Sequence, residues 1–195
     1  MDHSVLHGRL VRLEPLGKCH AAGLAVAAEE SRDSYDWTWV PTAATVDGYI
    51  AEQIGRDGLT PYAQICLRTG RAVGVTAYWD PRGKPLAAID VGFTWLAASA
   101  QGSGINLEAK YLLFKNAFEN WGAQRVGMST DARNARSRSA IVGVGARFEG
   151  VLRNWSRSWA PGEEGRLRDS ALFSVVTEEW RECRAYLEHR LSETR

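Results

Sequence analysis

Histidine and cysteine are scarce in this chain, and neither clusters. His3, His7, His20 and His189 are scattered, and Cys19, Cys66 and Cys183 stand far apart. Neither set has metal-ligand spacing, so no metal is expected. Three distant cysteines are no disulfide framework either, and they point to a reducing cytoplasm. No apolar run approaches membrane-spanning length, and no N-terminal stretch resembles a signal peptide. Charge of one sign is also lacking. The 24 Lys and Arg against 23 Asp and Glu leave +1 at pH 7, which gives nucleic-acid binding through phosphate neutralisation no bulk support. Internal repeats and linkers are missing as well, so 1–195 reads as one domain large enough to bury a core.

What is present is globular in kind, with 45% hydrophobic and 24% charged residues. The arginines are uneven: Arg133, Arg136, Arg138, Arg147, Arg153 and Arg157 fall in one third of the chain. Such a group suits a polyanionic ligand or a solvated face. Eight tryptophans is a high number, and two of them lie in Ser34-Tyr35-Asp36-Trp37-Thr38-Trp39-Val40-Pro41. Rings this dense in a loop either pack inward or line a pocket.

Alternating and helical spacings give the elements. Strands are expected at 8–13, 62–67, 71–79 and 86–96, the last three an antiparallel meander. Helices are expected at 18–30 and at 46–57, with Thr45 as N-cap. A switch to helical period follows at 107–121, where Leu107, Tyr111, Phe114 and Phe118 share a face. Then come a strand at 125–130, a helix at 137–144, strands at 146–152 and 172–176, and a helix at 178–191. Residues 160–165 read as a polar hairpin tip. A meander followed by strand–helix–strand–helix–strand predicts a mixed sheet in an α/β (α+β) domain.

Between the third meander strand and the next helix lies Gln101-Gly102-Ser103-Gly104-Ile105-Asn106. Glycine permits a tight turn that exposes consecutive N–H groups, and a helix start adds unpaired donors with partial positive charge. Together they form an anion site, unless the glycines merely end a strand. The third glycine of a dinucleotide fingerprint is missing, and so is the Gly-Lys-Ser/Thr of a Walker loop.

This order of elements resembles the GCN5-related N-acetyltransferase superfamily, and within it the branch of ribosomal-protein alanine N-acetyltransferases. That family writes its acetyl-CoA loop Gln/Arg-x-x-Gly-x-Gly/Ala. Gln101 to Ile105 are similar, and Asn106 departs from it. Asn134-Ala135-Arg136-Ser137, followed by Gly145-Ala146 and Glu149-Gly150-Val151-Leu152-Arg153, resembles the branch's second block. Asp90-Val91-Gly92-Phe93 stands where the family often has Glu-x-Gly-Tyr/Phe.

The resemblance implies an acetyl-CoA-dependent N-acetyltransferase with a splayed central sheet. Its acceptor would be a primary amine of a small molecule, peptide or protein N-terminus. Backbone N–H groups of Gln101, Gly102, Ser103, Gly104, Ile105 and Asn106 would cradle the coenzyme A pyrophosphate. The pantetheine arm would lie along Phe93 to Ala97, with Trp95, Leu96 and Ala97 binding it like an added strand. An N–H near Leu96 or Ala97 would polarise the thioester oxygen. Asn134 would bind the arm or fix the loop, and Ser137 would stand beside the sulfur as donor or general acid, or else cap the helix. Asp90, unless it is only a satisfied sheet carboxylate, is the expected base, with Glu149 and Asp131 behind it and a water relay without any base as the alternative. The branch's Glu after Val-Leu-Arg is replaced here by Asn154-Trp155-Ser156.

Trp37, Trp39, Trp155 and Trp159 would wall the acceptor pocket, with Asp33 and Asp36 near enough to draw an ammonium. Transfer of succinyl or another acyl group, with Arg153 or Arg157 holding its charge, and a catalytically silent acyl-CoA binder are the alternatives. A homodimer is the expected assembly by resemblance, with no nucleic-acid or membrane partner.

Overall fold

The computed structural model describes residues 3–194. Its strands are β1 (Leu6–His7), β2 (Val11–Pro15), β3 (Leu59–Cys66), β4 (Arg71–Arg82), β5 (Ala88–Leu96), β6 (Arg125–Asp131), β7 (Arg147–Arg157) and β8 (Leu167–Val176). The helices are α1 (Ala21–Glu29), α2 (Val46–Gly55), α3 (Ile105–Lys115), α4 (Ala135–Val142) and α5 (Thr177–Glu193). The strands form one mixed sheet in the order β1-β2-β3-β4-β5-β6-β8-β7, antiparallel except where β6 runs parallel to β5. This is the expected mixed α/β architecture. Among the described residues no helix is long and apolar enough to cross a membrane.

The long meander forms because β3 and β4 are rich in residues that suit a pleated surface, and both are buried along most of their length. β3 begins at Leu59 rather than at Tyr62, since Pro61 sits in register opposite Ala77 and its carbonyl accepts from the Leu16 N–H at 2.9 Å. A single N-terminal strand is not found. Gly8 turns the chain between β1 and β2, and Glu108 on α3 accepts the N–H groups of Arg9, Leu10 and Val11 at 2.8, 2.6 and 2.8 Å. A contact across nearly a hundred positions leaves no local trace in the sequence.

Two irregularities shape the centre. The β5–β6 ladder has only three pairs, Ala88–Arg125, Ile89–Val126 and Asp90–Gly127. Beyond them each strand continues with its other neighbour, so the sheet opens into a V. On the β4 side, register slips between Val75–Trp95 and Ala77–Gly92, and Phe93 and Thr94 together face Thr76. Phe93 has φ of 50°, the left-handed backbone of a β-bulge. The bulge lies on the lip of the V.

Candidate active site

α3 starts at Gly104, whose φ of 86° puts it in the left-handed region, and Gly102 has φ of 71°. Both glycines are therefore conformational requirements. A Cβ on Gly102 would meet nothing within 4 Å, so the loop keeps open space in front of its backbone. Ser103, exposed on the loop, donates to the Ala100 carbonyl at 2.6 Å.

Gln101 ties this loop to its surroundings. Its amide nitrogen donates to the Leu96 carbonyl at 2.8 Å and to Ser34 Oγ at 3.0 Å, and its oxygen accepts from Arg136 at 2.6 Å. The anion loop, the end of β5 and the start of α4 are thus pinned at one point, with a guanidinium beside the helix N-terminus.

The loop and the V open on one cavity of about 570 Å3. Trp95, Leu96, Gln101, Gly102 and Asn106 line it on the α3 side, and Asn134 and Ser137 on the α4 side. Ala97, Ser103, Gly104 and Ile105 do not line it, and Ser103 and Ile105 border a second cavity instead. The Ala97 N–H donates to Val73 O at 2.7 Å, so it does not serve as an oxyanion donor. Strand alternation directs Leu96 the opposite way, and its carbonyl accepts from Tyr35 Oη at 2.9 Å on that side.

Asn134, not Ser137, caps α4: its Oδ1 accepts the Ser137 N–H at 2.9 Å. That fixes the helix start and leaves the Ser137 hydroxyl out of the cap, on the cavity wall. Thr45 likewise stands at the α2 N-cap position without capping it, since its hydroxyl accepts the Thr42 N–H at 2.9 Å.

Trp37, Trp39, Trp155 and Trp159 all line the other end of the cavity. Trp39 and Trp159 stack at 5.5 Å with 10° between planes, which joins the 34–41 loop to the hairpin between β7 and β8. β7 runs on through Asn154, whose φ of 48° marks an irregularity, to Arg157, and so carries Trp155 and Arg157 to the cavity. The expected end of this strand at 152 is too short for that reason.

The carboxylates expected near the chemistry are elsewhere. Asp90 sits at the closed end of the V, ion-paired with Arg82, with burial raising its pKa against the pull of that guanidinium. Asp131 bonds Arg133, and Glu149 bonds Arg125 and Ser174. Asp33 and Asp36 are exposed. Among the described residues no Asp or Glu lines the cavity, whereas Arg56, Arg136, Arg157, Arg168 and Lys110 do. Arg168 donates to Ser156 Oγ at 3.1 Å, and Arg157 lies 4.7 Å from the centre of the Trp159 ring. No group of three or more His, Cys, Asp or Glu among the described residues could hold a metal ion.

Two wall residues, Gln53 and Lys110, escaped sequence reasoning, and Asn106 contributes its side chain as well as the expected backbone. Gln53 on α2 is 0% exposed, and neither polar atom of its amide has a hydrogen-bond partner. Asn106 Oδ1 is also buried without a partner. Lys110 is 6% exposed and bonds only hydroxyls, Thr94 Oγ1 at 2.6 Å and Thr76 Oγ1 at 2.9 Å. Asn106 and Lys110 are four apart on α3 and so share a face. The only local signal was two polar residues where a buried helix face would be apolar.

An orphaned acceptor at Asn106, the open cradle at Gly102 and the Arg136 cation fit a phosphate-bearing ligand with an amide-containing arm.

Residues 10–147 match the family model described as the acetyltransferase (GNAT) domain. No curated protein matches the sequence. Among solved structures, a GCN5-related N-acetyltransferase from Brucella melitensis superposes with a TM-score of 0.86 at 26% identity, over 97% of this chain and 86% of that one. A protein from T. thermophilus assigned as an acetyltransferase gives 0.82 at 33% identity, over 96% and 97%. The ribosomal-protein α-N-acetyltransferase RimL in complex with coenzyme A gives 0.70 at 15% identity, over 89% and 98%, a likeness of fold.

Proposed function

The chain belongs to the GNAT acetyltransferase family, and from that premise we propose that it transfers an acetyl group from acetyl-CoA to a primary amine by direct attack on the thioester. One observation carries the reading: the Gln101–Asn106 loop and the V between β5 and β6 open on the same cavity. An anion cradle thereby continues into an unpaired strand edge. Gly102, the Asn106 N–H and Arg136 would hold the pyrophosphate end. The Leu96 N–H, its carbonyl being taken by Tyr35 and Gln101, would donate to the arm, whose thioester supplies the activated acyl carbon when bound. Ser137, on the facing wall, donates a hydrogen bond to the leaving thiolate.

The acceptor end supports a narrower class. Four tryptophans offer apolar area, and the orphaned Gln53 amide offers a polar contact. Arg157 and Arg168 are cationic, with no lining carboxylate to balance them among the described residues, while Arg56 is paired with Glu52 behind the wall. Such walls favour an amine on a skeleton that also bears a carboxylate or phosphate, and they disfavour polyamines. The same arginines support a second reading, in which the acid group belongs to the acyl donor, as in succinyl-CoA.

Thiol release across acyl donors and amines tests both. The first reading predicts turnover of acetyl-CoA with amines that carry an acid group and little with diamines. The second predicts preference for succinyl-CoA with neutral amines. Absence of thiol release for every pair overturns both.

A further inference from the structure

Amine acetylation needs a base, because an ammonium has no lone pair with which to attack. The cavity offers few. Tyr35 and Tyr49 line it, but burial raises the pKa of each. The arginines stay protonated. Carboxylates are absent from the lining among the described residues. That leaves the amine on α3.

We propose that Lys110 is the proton acceptor for the incoming amine. The geometry is that of a half-committed amine. Nζ has three positions besides its carbon, and two are taken by the hydroxyls of Thr94 and Thr76. Those hydroxyls are themselves 2.9 Å apart, and Thr94 Oγ1 donates onward to the Gly92 carbonyl at 3.1 Å. The third position of Nζ has no partner among the described residues. Lys110 and Thr94 both line the cavity, at the bulge on the lip of the V.

Burial without a counter-charge pushes the Lys110 amine down to about 7, so its free base is populated at neutral pH. The charged groups of the surrounding elements are engaged elsewhere. Glu108 on α3 accepts backbone N–H groups of residues 9–11, and Glu14 on β2 is held by Arg12 and His20. Tyr78 on β4 donates to the Leu113 carbonyl, and Asp90 on β5 pairs with Arg82. Glu188 on α5 accepts from Tyr111 and Arg184, Lys115 lies by the Tyr111 ring, and Arg56 across the cavity pairs with Glu52.

The step balances. The acceptor ammonium gives one proton to the Nζ lone pair, and the freed amine nitrogen attacks the thioester carbonyl carbon. The C–N bond forms, the C–S bond breaks, and the sulfur leaves with the electron pair and takes up a proton from solvent while Ser137 donates a hydrogen bond to it. The new amide nitrogen loses its second proton to solvent, and Lys110 releases its own there before the next cycle. While Lys110 is charged, the hydroxyl oxygens of Thr76 and Thr94 stabilise it.

The inference rests on the acetyl-transfer reading, and the test separates the two. The chain has three other lysines, Lys18, Lys84 and Lys115, so NMR of lysine labelled at the ε-carbon follows Lys110 in the unliganded protein. One lysine should titrate near 7 and disappear in Lys110→Arg. A midpoint nearer the ordinary value of about 10.4 overturns the proposal. Thiol release should rise through the same midpoint. In Lys110→Met it should lose that inflection and fall by roughly 10²-fold or more, with calorimetric coenzyme A affinity within about threefold of the parent. Lys110→Arg, a charge without a usable base, should not rescue it. An unaltered pH profile in Lys110→Met, or rescue by Lys110→Arg, overturns the assignment. Failure of the parent protein to bind coenzyme A overturns the acetyl-transfer reading instead. Should Lys110→Met not fold, the NMR midpoint decides alone.

Discussion

Two side chains on facing walls, Lys110 and Ser137, divide the proton traffic of the proposed reaction. Each predicts something at the scale of a single residue. Lys110 has a folded pKa below its unfolded one, so between about 7 and about 10.4 the unfolded chain binds more protons. Stability should therefore rise with pH across that window. Lys110→Met removes this penalty: it should melt higher than the parent at pH 7, with the gap closing toward about pH 10. A gap independent of pH, followed by calorimetry at a series of pH values, would refute the shifted amine. Ser137→Ala should slow turnover by roughly 10²-fold while leaving coenzyme A affinity nearly unchanged, because the α4 cap belongs to Asn134. Equal effects on turnover and binding would make Ser137 part of the cofactor wall only. Ser137 was legible through its spacing from Asn134. Lys110 was not, since a helical pattern gives the face of a lysine but not the missing counter-charge, which depends on where Asp90, Glu108 and Glu149 point in three dimensions.

Elements rather than residues create the anion cradle. Gly104 is the joint between loop and α3, and a Cβ there would sit 2.5 Å from Thr194 Cγ2 and 2.9 Å from Leu10 Cδ1, on a backbone with φ of 86°. Gly104→Ala should cost about 1–3 kcal/mol and lower Tm by several degrees. Gly102→Val faces open space and meets no neighbour. It should cost about 1–2 kcal/mol of backbone strain, yet weaken coenzyme A binding by more than tenfold, because its side chain fills the cradle. If the two variants swapped effects, with Gly104→Ala impairing binding and Gly102→Val only stability, the division of labour between these glycines would be wrong. The strand–loop–helix succession was readable from residues 89–107, because glycine punctuation and the change of period are local signals. The bulge at Phe93–Thr94 was not, for it arises from a register slip against β4 that only the partner strand defines.

At the scale of the whole molecule, the site exists because the sheet fails to close. Three ladder pairs join β5 to β6, after which the anion loop, the 34–41 loop and the β7–β8 hairpin converge over the gap. The Trp39–Trp159 stack joins two of these across more than a hundred residues. Trp159→Ala should open the acceptor end, raising KM for the amine several-fold with little change in coenzyme A affinity. The mixed sheet followed from element order, whereas the density of rings in the 34–41 loop left inward packing and pocket wall both open, and only the fold puts Trp37 and Trp39 on the cavity. The acid expected to draw an ammonium was misplaced: Asp36 is exposed while arginines line the wall, since β7 extends to Arg157 where sequence spacing ended it at 152. That this opening is a coenzyme A site can be checked by titrating coenzyme A into the protein in a calorimeter. The prediction is one saturable site per chain, weakened by added salt and abolished or strongly weakened in Gly102→Val. No heat of binding at millimolar coenzyme A, or binding untouched by that substitution, would contradict it.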